Sequence, residues 1–286
     1  MGTGISRGGR LVSANGTATV PRSFSAALGS LASAQKTSAG APAYSRFVNR
    51  RLGRWAAALA FTWGATPNQV TALSAVSTFS GIAVLAFGPS TGTTALVVVL
   101  LLVVGYALDS ADGQLARLRG GGSPVGEWLD HVIDATKVAV LHLAVFVSWL
   151  REPAGRESVL FAPLVYEVVA TVLFFAMVLT DQLRRAERAR AATPAAPAVR
   201  RSSGLLYSLA VVPTDYGLLC LSFALLAWPA AFTVVYLAFA AANAGFLVLA
   251  LPKWFRELDR FTSRAPARLD DITAGPVSTH PARSTS

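Results

Sequence analysis

The chain has few charged residues and almost no cysteine. Only 14% of its 286 residues are Asp, Glu, Lys or Arg, whereas 53% are hydrophobic. This composition is far more apolar than that of an ordinary soluble domain. The single cysteine, Cys220, excludes an internal disulfide framework and a metal site built from cysteines. The composition therefore predicts a polytopic membrane protein.

The first 108 residues contain no Asp or Glu, and Asp109 is the first acidic residue of the chain. Residues 1–43 are rich in Ser, Ala, Gly and Thr, with no apolar stretch that could form the core of a signal peptide. We expect this basic tail to be disordered. An Arg- and Ser-rich transit peptide is the alternative.

Apolar runs long enough to cross about 30 Å of hydrocarbon occur six times. They cover residues 69–87, 91–118, 127–150, 157–181, 211–228 and 230–251. Before them, residues 44–66 mix arginines with large apolar side chains, which indicates an amphipathic helix in the membrane interface, or else a flank with snorkelling arginines. The predicted fold is an all-α polytopic membrane protein with six transmembrane helices over residues 67–251. A basic cytoplasmic tail, 252–286, follows.

Lysines and arginines indicate the orientation, because the cytoplasmic flanks of membrane proteins collect them. With the amino terminus in the cytoplasm, 22 of the 25 Lys and Arg residues face that side. Both termini and the joined ends of the second and third helices would then be cytoplasmic, as in a bacterial cell membrane. We attribute the net charge of +10 to topology and to contact with anionic lipid, and we expect no binding of nucleic acid.

Four aspartates stand at helical spacing near this cytoplasmic edge. Asp109 and Asp112 are three residues apart on the second span, and Asp130 and Asp134 are four apart on the third. Each pair shares one helix face, so the four carboxylates can converge. Such a concentration of negative charge requires protonation or bound cations, and oxygen ligands favour Mg²⁺ or Mn²⁺. The alternatives are solvated acids at helix ends and the cation site of an ion transporter or channel.

The aspartates belong to a longer pattern, Asp109-x-x-Asp112-Gly113-x-x-Ala116-Arg117, then eight residues, then Gly126-x-x-x-Asp130-x-x-x-Asp134. At every fixed position this pattern resembles the motif of the CDP-alcohol phosphotransferases, which are integral membrane enzymes of phospholipid synthesis. The segment Thr66-Pro67-Asn68-Gln69-Val70-Thr71 and the six-helix layout extend the resemblance over residues 44–251. The resemblance implies transfer of a substituted phosphate from a CDP-alcohol to an acceptor hydroxyl, with release of CMP.

The resemblance also implies roles for the aspartates. Asp109 and Asp130 would bridge two divalent metal ions, and Asp112 would complete the first metal site. Asp134 would bind the second ion and act as the general base. Two metal ions at such a centre would neutralise the charge of a bound pyrophosphate, and a nearby carboxylate can take the proton of an attacking hydroxyl. A catalytically inactive scaffold is disfavoured because all four acids are present.

The nucleotide would be bound, by the same resemblance, at Gly113, Arg117 and Ser123, with Ala116 as a further candidate. Arg117 suits a diphosphate because its guanidinium can donate two hydrogen bonds. Gly113 lacks a side chain, so a phosphate or ribose could approach the helix there. The alternatives are close helix packing for Gly113 and Ala116, and a charge that sets the topology for Arg117.

Two other charged residues share a helix face with the third and fourth aspartates. Glu127 is either a supporting residue of the metal site or an acid favoured in the first turn of its helix. Lys137 would either keep Asp134 ionised or contact a substrate phosphate. The alternative is a plain structural ion pair. His131 and His142 lack partners at metal-ligand spacing, so we interpret them as packing or hydrogen-bonding residues.

The motif concerns the CDP portion and the metals, so it does not identify the acceptor. The arginines between Arg184 and Arg201 would suit a phosphorylated polyol such as inositol phosphate, with CDP-diacylglycerol as the donor. The run Gly126-Glu127-x-x-Asp130-His131 is instead similar to the choline and ethanolamine branch, which uses CDP-aminoalcohols. We favour the phosphorylated polyol, with the aminoalcohol class as the alternative, and a homodimeric assembly stays open.

Overall fold

The computed structural model of the chain is a bundle of long helices, and it describes residues 11–12, 18–19, 22–33, 42–153, 155–190 and 214–262. The α-helices in these ranges are α1 Phe24–Ser33, α2 Arg50–Thr62, α3 Pro67–Phe87, α4 Gly92–Leu118, α5 Pro124–Arg151, α6 Ala162–Arg190, α7 Tyr216–Ser222 and α8 Pro229–Thr262. A π-helical turn, Ser45–Asn49, precedes α2, and 3-10 turns cover Glu157–Val159 and Phe223–Ala227. The two-residue strands β1 (Leu11–Val12) and β2 (Ala18–Thr19) pair antiparallel.

Five helices in the described part of the chain are long and apolar enough to cross a membrane: α3, α4, α5, the helical region Glu157–Arg190 that contains α6, and α8. They confirm the predicted all-α polytopic membrane fold. The predicted span 211–228 corresponds to a shorter apolar helix, Tyr216–Ala227. At about 1.5 Å per residue this helix covers roughly 18 Å, less than the hydrocarbon thickness. Residues 211–213 lie outside the described ranges.

Helix α3 positions α4 along its length. It begins with a capping box, in which Thr66 accepts a hydrogen bond from the Gln69 backbone and Gln69 accepts one from the Thr66 backbone. The two helices approach closely at Gly105, where a Cβ atom would collide with the Thr78 hydroxyl. Ser74 Oγ donates a 2.8 Å hydrogen bond to the Gly105 carbonyl. These contacts fix the position of α4 along the axis of α3, and α4 carries two of the aspartates.

A tight glycine turn joins α4 to α5. Gly120 and Gly121 have φ angles of 101° and 134°, which residues with a Cβ adopt only with strain. Ser123 then caps α5 by accepting a 3.1 Å hydrogen bond from the Gly126 backbone, and Pro124 occupies the first helical turn. The turn therefore reverses the chain directly after the first half of the aspartate motif.

The core of the bundle contains aromatic residues from α5 to α8. Trp149, Phe223, Phe232 and Tyr236 are fully buried in one apolar cluster with residues of α3 and α4. Large apolar side chains such as Val76, Leu100, Val168, Phe175 and Val234 are exposed on the outer faces of the long helices. Such outward apolar faces are expected where helices meet lipid rather than water.

The segment before α3 is helical, as predicted, and α2 packs against α4. The contact face of α2 consists of small residues, and a Cβ on Gly53 would lie 2.7 Å from Ser110 Oγ. The opposite face exposes Leu52, Trp55 and Leu59. Its location in the membrane interface stays a prediction.

Both terminal tails contain more helix than the sequence predicts. Helix α1 lies inside the tail expected to be disordered, and it buries Ala27 and Leu31 while Phe24 contacts Trp55 at 5.6 Å between ring centroids. For this short helix α2 supplies the apolar contacts that an isolated helix lacks. Helix α8 likewise continues past Pro252 to Thr262, and residues 263–286 lie outside the described ranges.

Candidate active site

A buried lysine brings aspartates from α4 and α5 together. The ammonium group of Lys137 on α5 contacts Asp109 on α4 and lies 2.8 Å from Asp134 on its own helix. Lys137 is only 6% exposed, whereas the side chains of Asp109 and Asp134 are 19% and 29% exposed. The predicted convergence of the two helix faces is therefore observed for Asp109 and Asp134. Lys137 contacts two aspartates directly, which joins the two helices electrostatically.

Asp130, His131 and Asp134 form the group of possible metal ligands found among the described residues. One ligand atom from each lies within 4.8 Å of the other two. Carboxylate oxygens fit Mg²⁺ or Mn²⁺, and an imidazole nitrogen can join them on Mn²⁺. The donor set therefore fits a divalent ion.

The structure places His131, interpreted from the sequence as a packing or hydrogen-bonding residue, beside carboxylates. Its Nε2 lies 3.8 Å from Glu127, and its ring adjoins both carboxylates of the ligand group. The spacing of three residues between His131 and Asp134 was the available signal, because it puts the ring on the acidic face. His142 instead hydrogen-bonds Tyr236 at 2.7 Å, as its interpretation predicts.

Asp112 is held by groups of the protein itself. It is 7% exposed, and its Oδ2 accepts a 2.5 Å hydrogen bond from the Thr71 hydroxyl of α3. Its other oxygen accepts from the backbone of Gly113. Thr71 was missed as a functional residue, although it ends the Thr66–Thr71 segment. Only the packing of α3 against α4 reveals that its hydroxyl reaches the motif.

The predicted nucleotide-binding residues lie at the joined ends of α4 and α5. Arg117 is exposed, and its Nη1 lies 3.6 Å from the place that a Cβ on Gly113 would occupy. Ala116 is half-buried in the same turn, and Ser123 is exposed in the cap of α5. The Gly113 surface is therefore open except for the Arg117 guanidinium. The guanidinium itself lies in van der Waals contact with that surface.

Glu127 points toward α6. Its Oε1 accepts from Arg185 at 2.6 Å and from Gln182 at 3.3 Å. It also lies in the first turn of α5, and it contacts the ligand group through His131. Glu127 therefore links α6 to the ligand group rather than facing the other aspartates directly.

Three of the four arginines proposed for a phosphate site that the structure describes are engaged in ion pairs, namely Arg184, Arg185 and Arg190. Arg184 makes two hydrogen bonds to Glu257, of 2.8 and 2.6 Å, and these join α6 to the extension of α8. Arg185 pairs with Glu127 and Asp181, and Arg190 lies 2.9 Å from Glu187. Arg200 and Arg201 lie outside the described ranges. A phosphate bound at Arg184 or Arg185 would have to compete with these carboxylates.

One comparison with known proteins bears on this site. A family model described as CDP-alcohol phosphatidyltransferase matches residues 64–249. The match contains α3 to α7, most of α8 and the whole aspartate motif, and it covers more than half of the chain. A search of curated proteins found no match.

Proposed function

Because the chain belongs to the CDP-alcohol phosphatidyltransferase family, we propose that it transfers the substituted phosphate group of a CDP-alcohol to an acceptor hydroxyl. The acceptor oxygen forms a bond to the phosphorus while the bond from phosphorus to the CMP oxygen breaks, and CMP leaves. The observation that carries the proposal is the complete aspartate motif, whose two halves meet at Lys137. The reaction would serve phospholipid biosynthesis.

The aspartates would hold two divalent ions, Mg²⁺ or Mn²⁺. Asp109 and Asp130 would bridge the ions, with Asp112 on the first and Asp134 on the second. Such ions supply charge neutralisation for the diphosphate and for the leaving oxygen. The Thr71 hydrogen bond fixes the carboxylate of Asp112, which limits the rearrangement needed on binding.

Asp134 would also accept the proton of the attacking hydroxyl. Its carboxylate is oriented by Lys137 at 2.8 Å and adjoins Asp130 and His131. A base must lie within hydrogen-bond reach of the proton that it takes. Asp134 suits this role because it lies beside the other proposed metal ligands, where the substrate would bind.

The CDP group would lie against the end of α4. Arg117 would donate hydrogen bonds to the diphosphate, and the open surface of Gly113 would admit a phosphate or ribose beside Ala116. Ser123 would contribute from the start of α5. This end faces the cytoplasm in the orientation that we propose, where soluble nucleotides are available. The same orientation brings the arginines into contact with anionic lipid headgroups.

Two acceptor classes are proposed. The first is a phosphorylated polyol, such as inositol phosphate, with CDP-diacylglycerol as donor; competition from the ion pairs of Arg184 and Arg185 counts against it. The second is a lipid hydroxyl with a CDP-aminoalcohol as donor. The run Gly126-Glu127-x-x-Asp130-His131 supports this second class by its similarity to the choline and ethanolamine branch.

The test is CMP release by the purified protein in lipid nanodiscs. One reaction contains CDP-diacylglycerol and inositol phosphate, and the other contains CDP-choline or CDP-ethanolamine and diacylglycerol. We expect CMP from one of these pairs with Mg²⁺ or Mn²⁺, and none in excess EDTA. An Asp109→Asn/Asp112→Asn variant serves as the inactive control. Cation flux through proteoliposomes without CMP release from any pair would instead support an ion transporter.

A further inference from the structure

Two tyrosines lie beyond the aspartates, on the side away from the proposed nucleotide site. Tyr106 precedes Asp109 by three residues on α4, so the two side chains share a helix face. The ring of Tyr216, at the start of α7, meets that of Tyr106 edge-on with 5.1 Å between centroids. This contact places Tyr216 beside the face of α4 that carries Asp109. A third helix therefore brings a phenol next to the carboxylate cluster.

The Tyr216 hydroxyl is buried and lacks a strong hydrogen-bond partner. Apart from the weakly polar thiol of Cys220, one turn further along, no group of the described chain pairs with it. The hydroxyl of Tyr106, in contrast, interacts with the Ser45 side chain. A buried hydroxyl without a partner costs free energy, whereas a substrate oxygen would satisfy it. The Tyr216 hydroxyl is therefore free to donate a hydrogen bond to a ligand.

The backbone around Tyr216 is firmly positioned. Asp215 caps α7 by accepting a 3.0 Å hydrogen bond from the Gly217 backbone, and it accepts another, of 3.2 Å, from the Ser45 backbone. Gly217 packs directly on the ring of Tyr44, where a Cβ atom has no space. These contacts tie the start of α7 to the segment before α2. They fix the direction of the phenol before any substrate binds.

The position of Tyr216 relative to the motif indicates which of the two substrates, the CDP-alcohol donor or the acceptor alcohol, its hydroxyl would contact. Gly113 and Arg117 follow Asp109 on α4 by one and two turns, whereas Tyr106 precedes it by one turn. In an in-line displacement the attacking oxygen approaches opposite the leaving oxygen. If CMP leaves on the Arg117 side, the acceptor enters on the tyrosine side. We propose that the Tyr216 hydroxyl donates a hydrogen bond to an oxygen of the acceptor alcohol and so positions it for attack, an inference that rests on the proposed function.

The test compares Tyr216→Phe with Tyr236→Phe, because each change removes one phenolic oxygen. CMP release is measured with both substrate pairs described above, and the KM of donor and acceptor and the Tm are determined. For Tyr216→Phe we expect an acceptor KM raised roughly three- to ten-fold, an unchanged donor KM and an equal or higher Tm. Tyr236→Phe loses the 2.7 Å hydrogen bond to His142, so we expect a lower Tm and unchanged KM values.

Three outcomes are distinguished. A Tyr216→Phe enzyme with the wild-type acceptor KM overturns the inference. So does a Tyr216→Phe enzyme with a lowered Tm and equal changes in both KM values, which would make the phenol a structural group. A wild-type protein that releases no CMP from any pair contradicts the proposed function itself, before any variant is compared.

Discussion

Lys137 on α5 forms an ion pair with Asp109 on α4, and this contact crosses between the two helices that carry the aspartate motif. The same ammonium lies 2.8 Å from Asp134, so one lysine serves two carboxylates. Four aspartates and one lysine leave a negative excess in a largely buried site. Protonation or further positive charge must balance this excess, and divalent ions at the group Asp130, His131 and Asp134 would supply that charge.

Removal of Lys137 is expected to make the thermal stability of the protein depend on bound Mg²⁺. Lys137→Met leaves Asp109 and Asp134 without their buried cation, and such a loss typically costs about 3 kcal/mol. In EDTA the variant should have a lower Tm than the wild type. Addition of Mg²⁺ should raise the Tm of the variant by more than it raises that of the wild type, because the ions then neutralise the same carboxylates. Thermal unfolding in detergent or nanodiscs measures both effects.

Arg184→Met provides the matched control for this prediction. It breaks an ion pair with Glu257 that joins α6 to α8, away from the aspartates. We expect any loss of Tm in this variant to be the same with and without Mg²⁺. Equal Mg²⁺ effects in wild type, Lys137→Met and Arg184→Met would contradict a metal site at the cluster.

The two aspartates bound to Lys137 should differ in their contributions to catalysis. Asp134→Asn keeps the size of the side chain but cannot accept a proton, so turnover should fall by about 100-fold or more while nucleotide binding persists. Asp109→Asn should weaken Mg²⁺-dependent binding of CDP as well, because a bridging ligand is lost. CMP release and calorimetric titration with CDP measure the two effects. Near-normal turnover of Asp134→Asn would exclude it as the base.

The helices and the shared faces of Asp109 with Asp112 and of Asp130 with Asp134 were predictable because they depend on local periodicity. Spacings of three and four residues place side chains on one helix face wherever the helix packs. The contacts of Thr71 with Asp112 and of Tyr216 with Tyr106 were not predictable, since they depend on which helices neighbour α4. Hydropathy also gave a full span at 211–228, although Asp215 caps the helix and starts it at Tyr216.

Thr71 offers a separate test of how Asp112 is positioned. Thr71→Val removes the 2.5 Å hydrogen bond and leaves a buried carboxylate oxygen with one partner fewer. The Mg²⁺ concentration for half-maximal CMP release should then rise about ten-fold, which corresponds to the 1–3 kcal/mol typical of an unsatisfied buried acceptor. Thr71→Ser retains the hydroxyl and should behave like the wild type. A Thr71→Val enzyme with the normal Mg²⁺ requirement would show that Asp112 needs no such support.

The proposed sidedness can be tested at the two ends of one membrane span. Ser158 and Ala189 are exposed near the ends of the region Glu157–Arg190, and the ion pair of Arg185 with Glu127 places the Ala189 end beside the start of α5. Each is changed to cysteine in a Cys220→Ala background, which removes the native buried thiol. In intact bacterial cells an impermeant thiol reagent should label Ser158→Cys, whereas Ala189→Cys should require permeabilised membranes.

This expectation follows from the arginines near the Ala189 end, because cytoplasmic flanks collect positive charge. The four aspartates lie at that same end of the bundle, near the start of α5 and the finish of α4. The reverse labelling pattern would place them on the outer face, away from the cytoplasmic nucleotides. It would then contradict the proposed use of a CDP-alcohol as well as the topology, because the donor and the aspartates would be on opposite sides of the membrane.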